Sequence, residues 1–234
     1  MSPLDKSERV PILCYVTDRR SLGGAEAVGS GTVLMSKIAA TVAAGVDWIQ
    51  IREKDLSGKE LAQLTQDALG CVERGSISHT SGLARTRILV NDRLDVALAT
   101  QACGIHLGEN SLPPQEVRRL AHSLGREKDF LIGVSCHSLE AARRAEQSRA
   151  DYLFFGPVFT TPSKAAYGTP QGLERLAEVC QAVSIPVLAI GGVTVENCAS
   201  CLSAGASGIA AIRLFQDAPG ISTIVQSIRV LSRH

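Results

Sequence analysis

The sequence lacks the features that indicate a membrane, secreted or nucleic-acid-binding protein. Its longest apolar stretches are no longer than a strand and end at glycine, proline or charged residues, so none is long enough to span a bilayer. Residues 1–9 contain no apolar core of a signal peptide. Because 24 Lys+Arg stand against 23 Asp+Glu, the formal charge is only +1 and gives no chain-wide attraction for nucleic acid or an anionic membrane. We therefore expect a cytoplasmic protein with small-molecule partners, no nucleic-acid partner and no membrane partner, and the sequence leaves a homo-oligomer open.

Signatures of disulfides and of hydrolases are also missing. The seven cysteines are an odd number scattered through apolar segments, which favours buried thiols in a reducing compartment. Cys198 and Cys201 have the spacing of a redox or metal motif, but no second cysteine or histidine pair lies near them in the chain, so packing is the favoured interpretation. No GxSxG elbow or Ser-His-Asp order is present, and we predict no hydrolase.

Short β-branched runs alternate along the whole chain with segments of helical period, which predicts βα units around a parallel sheet. The predicted strands are Ile12–Thr17, Trp48–Arg52, Arg87–Asn91, Gly104–Leu107, Leu131–Ser135, Tyr152–Phe155, Val187–Ile190 and Gly208–Ile212. The predicted helices are Val33–Ala44, Gly58–Arg74, Leu94–Gln101, Pro114–Leu124, Ser138–Gln147, Gly172–Val183, Thr194–Ala204 and Thr223–Ser232. Eight such units in 234 residues fit a (β/α)8 TIM barrel better than an open doubly wound sheet. We expect one domain over residues 1–234, with residues 1–10 as a flexible N-terminal segment.

Long polar side chains follow the second predicted strand. Strand alternation sends Gln50, Arg52 and Lys54 to one side and Ile51 and Glu53 to the other. Three long polar side chains that face inward need a ligand or a buried partner. Catalytic residues of this kind of barrel lie at the carboxyl ends of the strands, so these three are candidates for a site, with a structural salt-bridge network as the alternative.

The next three strands end in further polar residues. Asn91 can pair with the ring nitrogen and amine of a heteroaromatic compound, and Asp92 can hold Mg²⁺ or a cationic group. His106 lies between apolar residues and is either a core histidine or a site residue. His137 precedes a helix whose dipole favours the neutral imidazole, which can move a proton near pH 7. The alternative for His137 is a solvated side chain beside a helix that Ser138 caps.

The last three units predict a phosphate site. A strand runs into the turn from Gly156 to Lys164, which is rich in hydroxyl groups, and another strand runs into Gly191 and Gly192, which leave backbone N–H groups uncovered for an anion. The ends of strands seven and eight often hold phosphate in such barrels. Arg213, just after the eighth strand, can add a charge-assisted contact.

With these residues in place, the chain resembles the thiamin phosphate synthase family, which includes the closely related thiazole tautomerases, over nearly its whole length. The motifs that carry the resemblance occur in the family's order: Gln50-Ile51-Arg52-Glu53-Lys54, Val90-Asn91-Asp92, Gly104-Ile105-His106-Leu107-Gly108, Gly133-Val134-Ser135-Cys136-His137, the run from Gly156 through Pro157, Thr161 and Ser163 to Lys164, and Ala189-Ile190-Gly191-Gly192.

The resemblance implies a (β/α)8 barrel that joins aminopyrimidine methyl diphosphate to thiazole phosphate, releasing pyrophosphate, with Mg²⁺ holding the diphosphate. By motif, it places Gln50, Arg52, Asn91, His106 and Ser135 on the pyrimidine and diphosphate side. It assigns Lys54 and Lys164 to the leaving pyrophosphate. It places Thr161, Ser163, Gly191 and Gly192 on the thiazole phosphate side.

Two positions depart from the family pattern. Synthases usually carry a second acidic Mg²⁺ ligand where this chain has Ser111, and a small residue where it has Arg213. Loss of the acidic ligand is expected of the tautomerases, which need no metal and use a histidine at the place of His137 to move a proton on thiazole carboxylate phosphate. Three hypotheses therefore stand: a synthase, a metal-independent tautomerase, and a barrel that only binds thiamin phosphates or a regulatory partner.

Overall fold

The computed structural model describes residues 10–22, 30–78, 86–126, 129–161 and 169–231. Eight parallel strands pair in chain order, and the first also pairs with the last, so the sheet closes into a barrel. The strands are β1 (Ile12–Val16), β2 (Trp48–Ile51), β3 (Arg87–Asn91), β4 (Gly104–Leu107), β5 (Leu131–Cys136), β6 (Tyr152–Phe155), β7 (Val187–Ile190) and β8 (Gly208–Ala211). Apart from Val10, the predicted flexible segment 1–10 lies outside the described residues.

Helices follow the strands, and the predicted (β/α)8 fold is confirmed. They are α1 (Ser30–Ala43), α2 (Gly58–Ser78), α3 (Leu94–Ala99), α4 (Pro114–Ser123), α5 (Leu139–Gln147), α6 (Gly172–Ala182), α7 (Val195–Ser203), α8 (Arg213–Gln216) and α9 (Ile221–Leu231), with a 3-10 helix at Arg19–Leu22. The largest difference from the predicted bounds is the end of α2, which was predicted at Arg74. None of the helices in the described ranges combines the length and the apolar character needed to pass through a bilayer.

Strand alternation divides the apolar residues between two cores. Leu13 and Tyr15 of β1 point outward and pack with the helices, whereas Cys14 and Val16 point into the barrel. Cys198 and Cys201 are buried in the outer core with free thiols. The burial of these two thiols agrees with a packing role.

Inside the barrel, a glycine makes room for a tyrosine. Gly133 of β5 lies opposite Tyr152 of β6, and a Cβ at Gly133 would lie 2.0 Å from a ring atom of Tyr152. The Tyr152 ring therefore crosses over β5 toward His106 of β4, which pairs with Gly133 on the other side. Tyr152 also packs against Trp48, with ring centroids 4.6 Å apart.

At the amino ends of the strands, carboxylates are paired. Asp47, just before β2, accepts a hydrogen bond from Leu13 N at 2.7 Å and forms an ion pair with Arg229 at 3.0 Å. Asp151, just before β6, likewise accepts from Ile132 N at 2.7 Å and pairs with Arg118 at 2.5 Å. These aspartates connect neighbouring strands to the outer helices.

Candidate active site

A cleft of about 710 Å³ opens at the carboxyl ends of the strands. Twelve of the predicted site residues line it: Gln50, Arg52, Lys54, Asn91, Asp92, His106, Ser135, His137, Thr161, Gly191, Gly192 and Arg213. The other two, Ser163 and Lys164, lie outside the described residues. The structure thus brings together residues from seven of the eight units, while the role of each one remains a prediction.

The floor of the cleft is a buried chain of hydrogen bonds. His106 is 2% exposed; its Nδ1 lies 3.1 Å from the Tyr152 hydroxyl and its Nε2 lies 2.8 Å from Ser135 Oγ. Burial, with a smaller contribution from the Arg52 guanidinium, lowers the pKa of His106 to about 3. The imidazole is therefore neutral near pH 7, and both of its nitrogens are engaged by the protein.

The segment after β2 carries side chains that face opposite ways, as alternation predicts. Gln50 lines the cleft and donates a hydrogen bond to Asn91 Oδ1 at 2.9 Å, which orients both amides. Glu53 points away and accepts hydrogen bonds from Thr17 Oγ1 at 2.6 Å and from Arg19 N at 3.1 Å. Burial raises the pKa of the Glu53 carboxyl. This buried carboxylate anchors the loop after β1 to the loop after β2.

Three cations line the cleft without a carboxylate partner. Among the residues that the structure describes, neither Arg52, Lys54 nor Arg213 has a carboxylate oxygen within ion-pair distance. The predicted alternative of a salt-bridge network at the barrel mouth is therefore not found for these residues within the described part of the chain. Cations held apart from carboxylates are available to an anionic ligand.

Asp92 follows β3 and is the predicted Mg²⁺ ligand. Its φ of 58° is the left-handed conformation that aspartate tolerates better than most residues, and this turn brings the carboxylate to the cleft. Ser111 Oγ donates a hydrogen bond to Asp92 Oδ1 and accepts one from Gly108 N at 2.9 Å. Within the described residues, no group of three or more His, Cys, Asp and Glu side chains is arranged to hold a metal ion. The described part of the cleft therefore supplies fewer than three such ligands at any one point.

His137 is held between two loops at the edge of the cleft. Its backbone N–H donates to Glu109 Oε1 at 3.3 Å, and its Nδ1 forms a hydrogen bond with the Gly156 carbonyl oxygen. Because a carbonyl only accepts, Nδ1 carries a proton, and in a neutral imidazole Nε2 is then the nitrogen with the lone pair. Ser138 caps α5 by accepting from Ala141 N at 3.1 Å, so both the predicted cap and a chemically available His137 are present.

The two turns predicted to hold phosphate are joined to each other. Val158 N donates to Ile190 O at 2.9 Å and Phe159 N donates to Gly191 O at 3.0 Å. Gly191 has φ 92°, and a Cβ there would lie 2.5 Å from Pro157 Cβ. The close approach and the positive φ both require glycine, and the turn keeps its backbone open to the cleft.

Arg213 differs from its predicted setting. We expected it in a loop just after a strand that ended at Ile212, but β8 ends at Ala211 and Arg213 is the first residue of α8. Four residues are too few to give a helical period in the sequence, which is why the pattern missed α8. Arg213 still lines the same cleft as the Gly191-Gly192 turn.

Sequence reasoning missed four further residues at or beneath the cleft. Asp18 and Ser21 follow β1 and line it. The rule of looking for polar residues after strands would have found both. Gln216 fixes this loop by accepting from Asp18 N at 3.0 Å and donating to Ser21 Oγ at 2.7 Å. For Tyr152, the sequence signal is the glycine at position 133 of the neighbouring strand, because only a small residue there leaves space for the tyrosine ring.

Known proteins resemble this chain in sequence and in fold. The family model "Thiamine monophosphate synthase" matches residues 13–215. A putative thiamine-phosphate synthase from Geobacter sulfurreducens is 40% identical over 200 residues, which cover 86% of this chain and 84% of that protein. A thiamine-phosphate synthase from a Roseiflexus species is 38% identical over 208 residues, covering 89% and 79%. The solved structure of thiamine phosphate pyrophosphorylase from Pyrococcus furiosus superposes with a TM-score of 0.76 at 28% identity, covering 98% of both chains. The chain belongs to the thiamine monophosphate synthase family.

Proposed function

We propose that this protein is a thiamin phosphate synthase, which joins aminopyrimidine methyl diphosphate to thiazole phosphate and releases pyrophosphate. In this reaction the bond between the methylene carbon and the diphosphate oxygen breaks, and the thiazole nitrogen attacks the resulting pyrimidine cation. Both substrates are small phosphorylated heteroaromatic compounds. Family membership and the composition of the cleft support the same reaction.

One observation carries the proposal: Arg52, Lys54 and Arg213 face one cleft and have no carboxylate partner within the described residues. Departure of pyrophosphate concentrates negative charge on the leaving oxygens. Fixed cationic donors stabilise that charge more than the charge of the bound diphosphate, and so they lower the barrier. Arg52 and Lys54 follow the same strand and are assigned to the leaving group.

The two halves of the cleft suit the two substrates. On one side, the amides of Gln50 and Asn91 hold each other in place and can read the nitrogen and amine of the pyrimidine. On the other side, the backbone of Gly191 and Gly192, with Thr161 and Arg213, would bind the phosphate of the thiazole. Binding both rings in one cleft supplies the orientation that a reaction between two substrates needs.

We include Mg²⁺ in the proposal, with Asp92 as its one protein carboxylate. The residues fit this role because Asp92 faces the cleft and Ser111 engages only its Oδ1. Mg²⁺ is commonly bound by one or two carboxylates together with substrate phosphates. When bound, the ion would neutralise and orient diphosphate oxygens. Since Ser111 is neutral, we expect Mg²⁺ to bind mainly together with the diphosphate.

A second candidate function is thiazole tautomerisation, and the geometry of His137 favours it. Its Nδ1 proton is held by the Gly156 carbonyl, which leaves Nε2 as a proton acceptor at the edge of the cleft. Such a base could move a proton on thiazole carboxylate phosphate without a metal. This hypothesis predicts that His137→Asn abolishes proton exchange on the thiazole while the folded structure is kept.

A turnover assay separates the candidates. The purified protein is given both substrates with and without Mg²⁺, and thiamin phosphate is measured. We expect thiamin phosphate to form only when Mg²⁺ is present. Ser111→Asp should lower the Mg²⁺ concentration for half-maximal rate roughly tenfold, since a second carboxylate ligand contributes about 1.4 kcal/mol.

Ser111→Asn is the matched control, because it has the shape of aspartate without the charge and should give no such gain. Absence of thiamin phosphate under all conditions would overturn the synthase proposal. Proton exchange on the thiazole without thiamin phosphate formation would then establish the tautomerase. Binding of thiamin phosphate without either turnover would establish a binding protein.

A further inference from the structure

The buried chain from Tyr152 through His106 to Ser135 can run in only two directions. In one, the Tyr152 hydroxyl donates to His106 Nδ1, the Nε2 proton donates to Ser135 Oγ, and the serine proton is left for another acceptor. In the other, the Ser135 hydroxyl donates to Nε2, the Nδ1 proton donates to Tyr152, and the phenol proton is left over. The direction decides which end of the chain has a proton to give.

Burial selects the first direction. Tyr152 is 1% exposed, and within the described residues His106 Nδ1 is its one hydrogen-bond partner. A phenol proton without an acceptor at that depth would cost about 1–3 kcal/mol. Ser135 is only partly buried and lines the cleft, so its proton can reach solvent or a ligand at little cost. Both directions have one proton on the imidazole, and they differ in which nitrogen carries it.

We propose that Tyr152 is a positioning residue that fixes the Nε2–H tautomer of His106 and so makes Ser135 a hydrogen-bond donor toward an acceptor atom of the substrate. The inference rests on the proposed function for the identity of that substrate, but the tautomer itself does not depend on it. Tyr152 acts through His106 and touches no reacting group. The packing of Tyr152 against Trp48 and over Gly133 holds the phenol in the position that this role needs.

The tautomer is measured directly by NMR of protein labelled with ¹⁵N-histidine, without substrate or turnover. The chain has five histidines, and the His106 signals are those that disappear in His106→Gln. We expect a protonated Nε2 and an unprotonated Nδ1 in the wild type. Tyr152→Phe removes the phenol hydroxyl but keeps the ring, and a measurable fraction of the Nδ1–H form should then appear.

Tyr15→Phe is the matched control. Tyr15 is also fully buried and donates its hydroxyl to another residue, Gln216, at 3.1 Å. Loss of the Tyr15 hydroxyl removes a comparable buried hydrogen bond but leaves the hydrogen bonds among Tyr152, His106 and Ser135 in place. The His106 tautomer should therefore stay as in the wild type. A wild-type His106 protonated on Nδ1 would overturn the inference, and so would an unchanged tautomer in Tyr152→Phe.

A double-mutant cycle tests the effect on Ser135. The value of kcat/KM for thiamin phosphate formation is compared in wild type, Tyr152→Phe, Ser135→Ala and the double variant. Loss of one oriented hydrogen bond should lower kcat/KM about fivefold to tenfold in Tyr152→Phe, but less than about twofold when Ser135 is already alanine. Equal losses in both backgrounds would mean that Tyr152 supports the fold only and would overturn the positioning role. If the wild type forms no thiamin phosphate, the proposed function fails while the tautomer measurement still tests this inference.

Discussion

The aspartates at the amino ends of the strands are paired with arginines, whereas the cations that line the cleft at the carboxyl ends have no carboxylate partner among the described residues. At the amino ends of the strands, Asp47 and Asp151 each bind a backbone N–H and an arginine, so charges of opposite sign lie within 3.0 Å of each other. At the carboxyl ends, the cleft contains charges of both signs. Within the described residues, Arg52 forms no ion pair, and the one side-chain hydrogen bond of Asp92 comes from Ser111 Oγ. The aspartates at the amino ends hold strands and helices together, whereas Arg52 and Asp92 in the cleft are left available to a ligand.

The difference follows from what each end has to do. A paired carboxylate that also holds a strand N–H contributes to folding and has little affinity left for a ligand. Unpaired charges contribute little to folding and cost some stability by repulsion, but they bind an anion or a metal without first breaking a protein contact. Variants at the two ends should therefore separate activity from stability.

The largest effect is expected from removal of Arg52. Arg52→Gln should lower kcat/KM by about 100-fold or more, because it removes a cationic donor from the leaving diphosphate. The free energy of unfolding should change by less than about 0.5 kcal/mol, since the side chain has no ion-pair partner in the described structure. Steady-state kinetics and urea unfolding measure the two quantities. A large loss of stability would contradict the contrast between the ends.

The sequence predicted the barrel and the members of the cleft because both depend on local patterns. Apolar runs separated by helical segments define the βα units, and polar residues directly after a strand must lie at the same edge of the sheet. It missed the link between His106 and Tyr152, which lie on β4 and β6 and meet only because β5 has glycine between them. It also missed the contact between Ser111 and Asp92, which depends on the fold of two loops and leaves no periodic signal.

The second effect concerns the neutral floor of the cleft. The pKa of His106 is lowered from 6.5 to about 3 by burial, so the unfolded chain binds one more proton than the folded chain between these values. This contribution to stability is complete above pH 6.5 and is lost as the pH falls toward 3. Between pH 7 and pH 5 the wild type should lose about 2 kcal/mol of unfolding free energy beyond the loss seen in His106→Gln. Urea unfolding at both pH values in the presence of EDTA measures it, and parallel losses in the two proteins would refute it.

The third effect comes from the paired end. Arg118→Gln leaves the Asp151 carboxylate without its ion pair and removes the bond from Arg118 to Phe130 O at 2.9 Å. Because both side chains are partly exposed, we expect a loss of about 1–2 kcal/mol in unfolding free energy, with kcat/KM unchanged.

Arg119→Gln, on the same helix, is the control for Arg118. The Arg119 side chain is 76% exposed and, among the described residues, pairs with Glu116 one turn away, so its loss should cost less than about 0.5 kcal/mol. Equal costs for the two variants would mean that the strand-end aspartates do not hold the barrel together.

The smallest effect is expected at Arg213, where this chain departs from the small residue usual in the family. Arg213 is exposed at the mouth of the cleft, so water screens its contact with the thiazole phosphate and reduces its contribution to about 1 kcal/mol. Arg213→Ser should therefore raise the KM for the thiazole phosphate about fivefold with little change in kcat. Arg213→Lys keeps the charge but cannot form a bidentate contact with phosphate, so its KM should lie between those of the arginine and serine proteins.

The difference in KM between the arginine and serine proteins should shrink as salt is added, because exposed charges are screened over about 10 Å at 0.1 M. A KM that is the same for arginine and serine would place the phosphate on the backbone of Gly191 and Gly192 alone. In that case the unpaired guanidinium would be a feature of the surface and the contrast between the two ends would rest on Arg52 and Lys54.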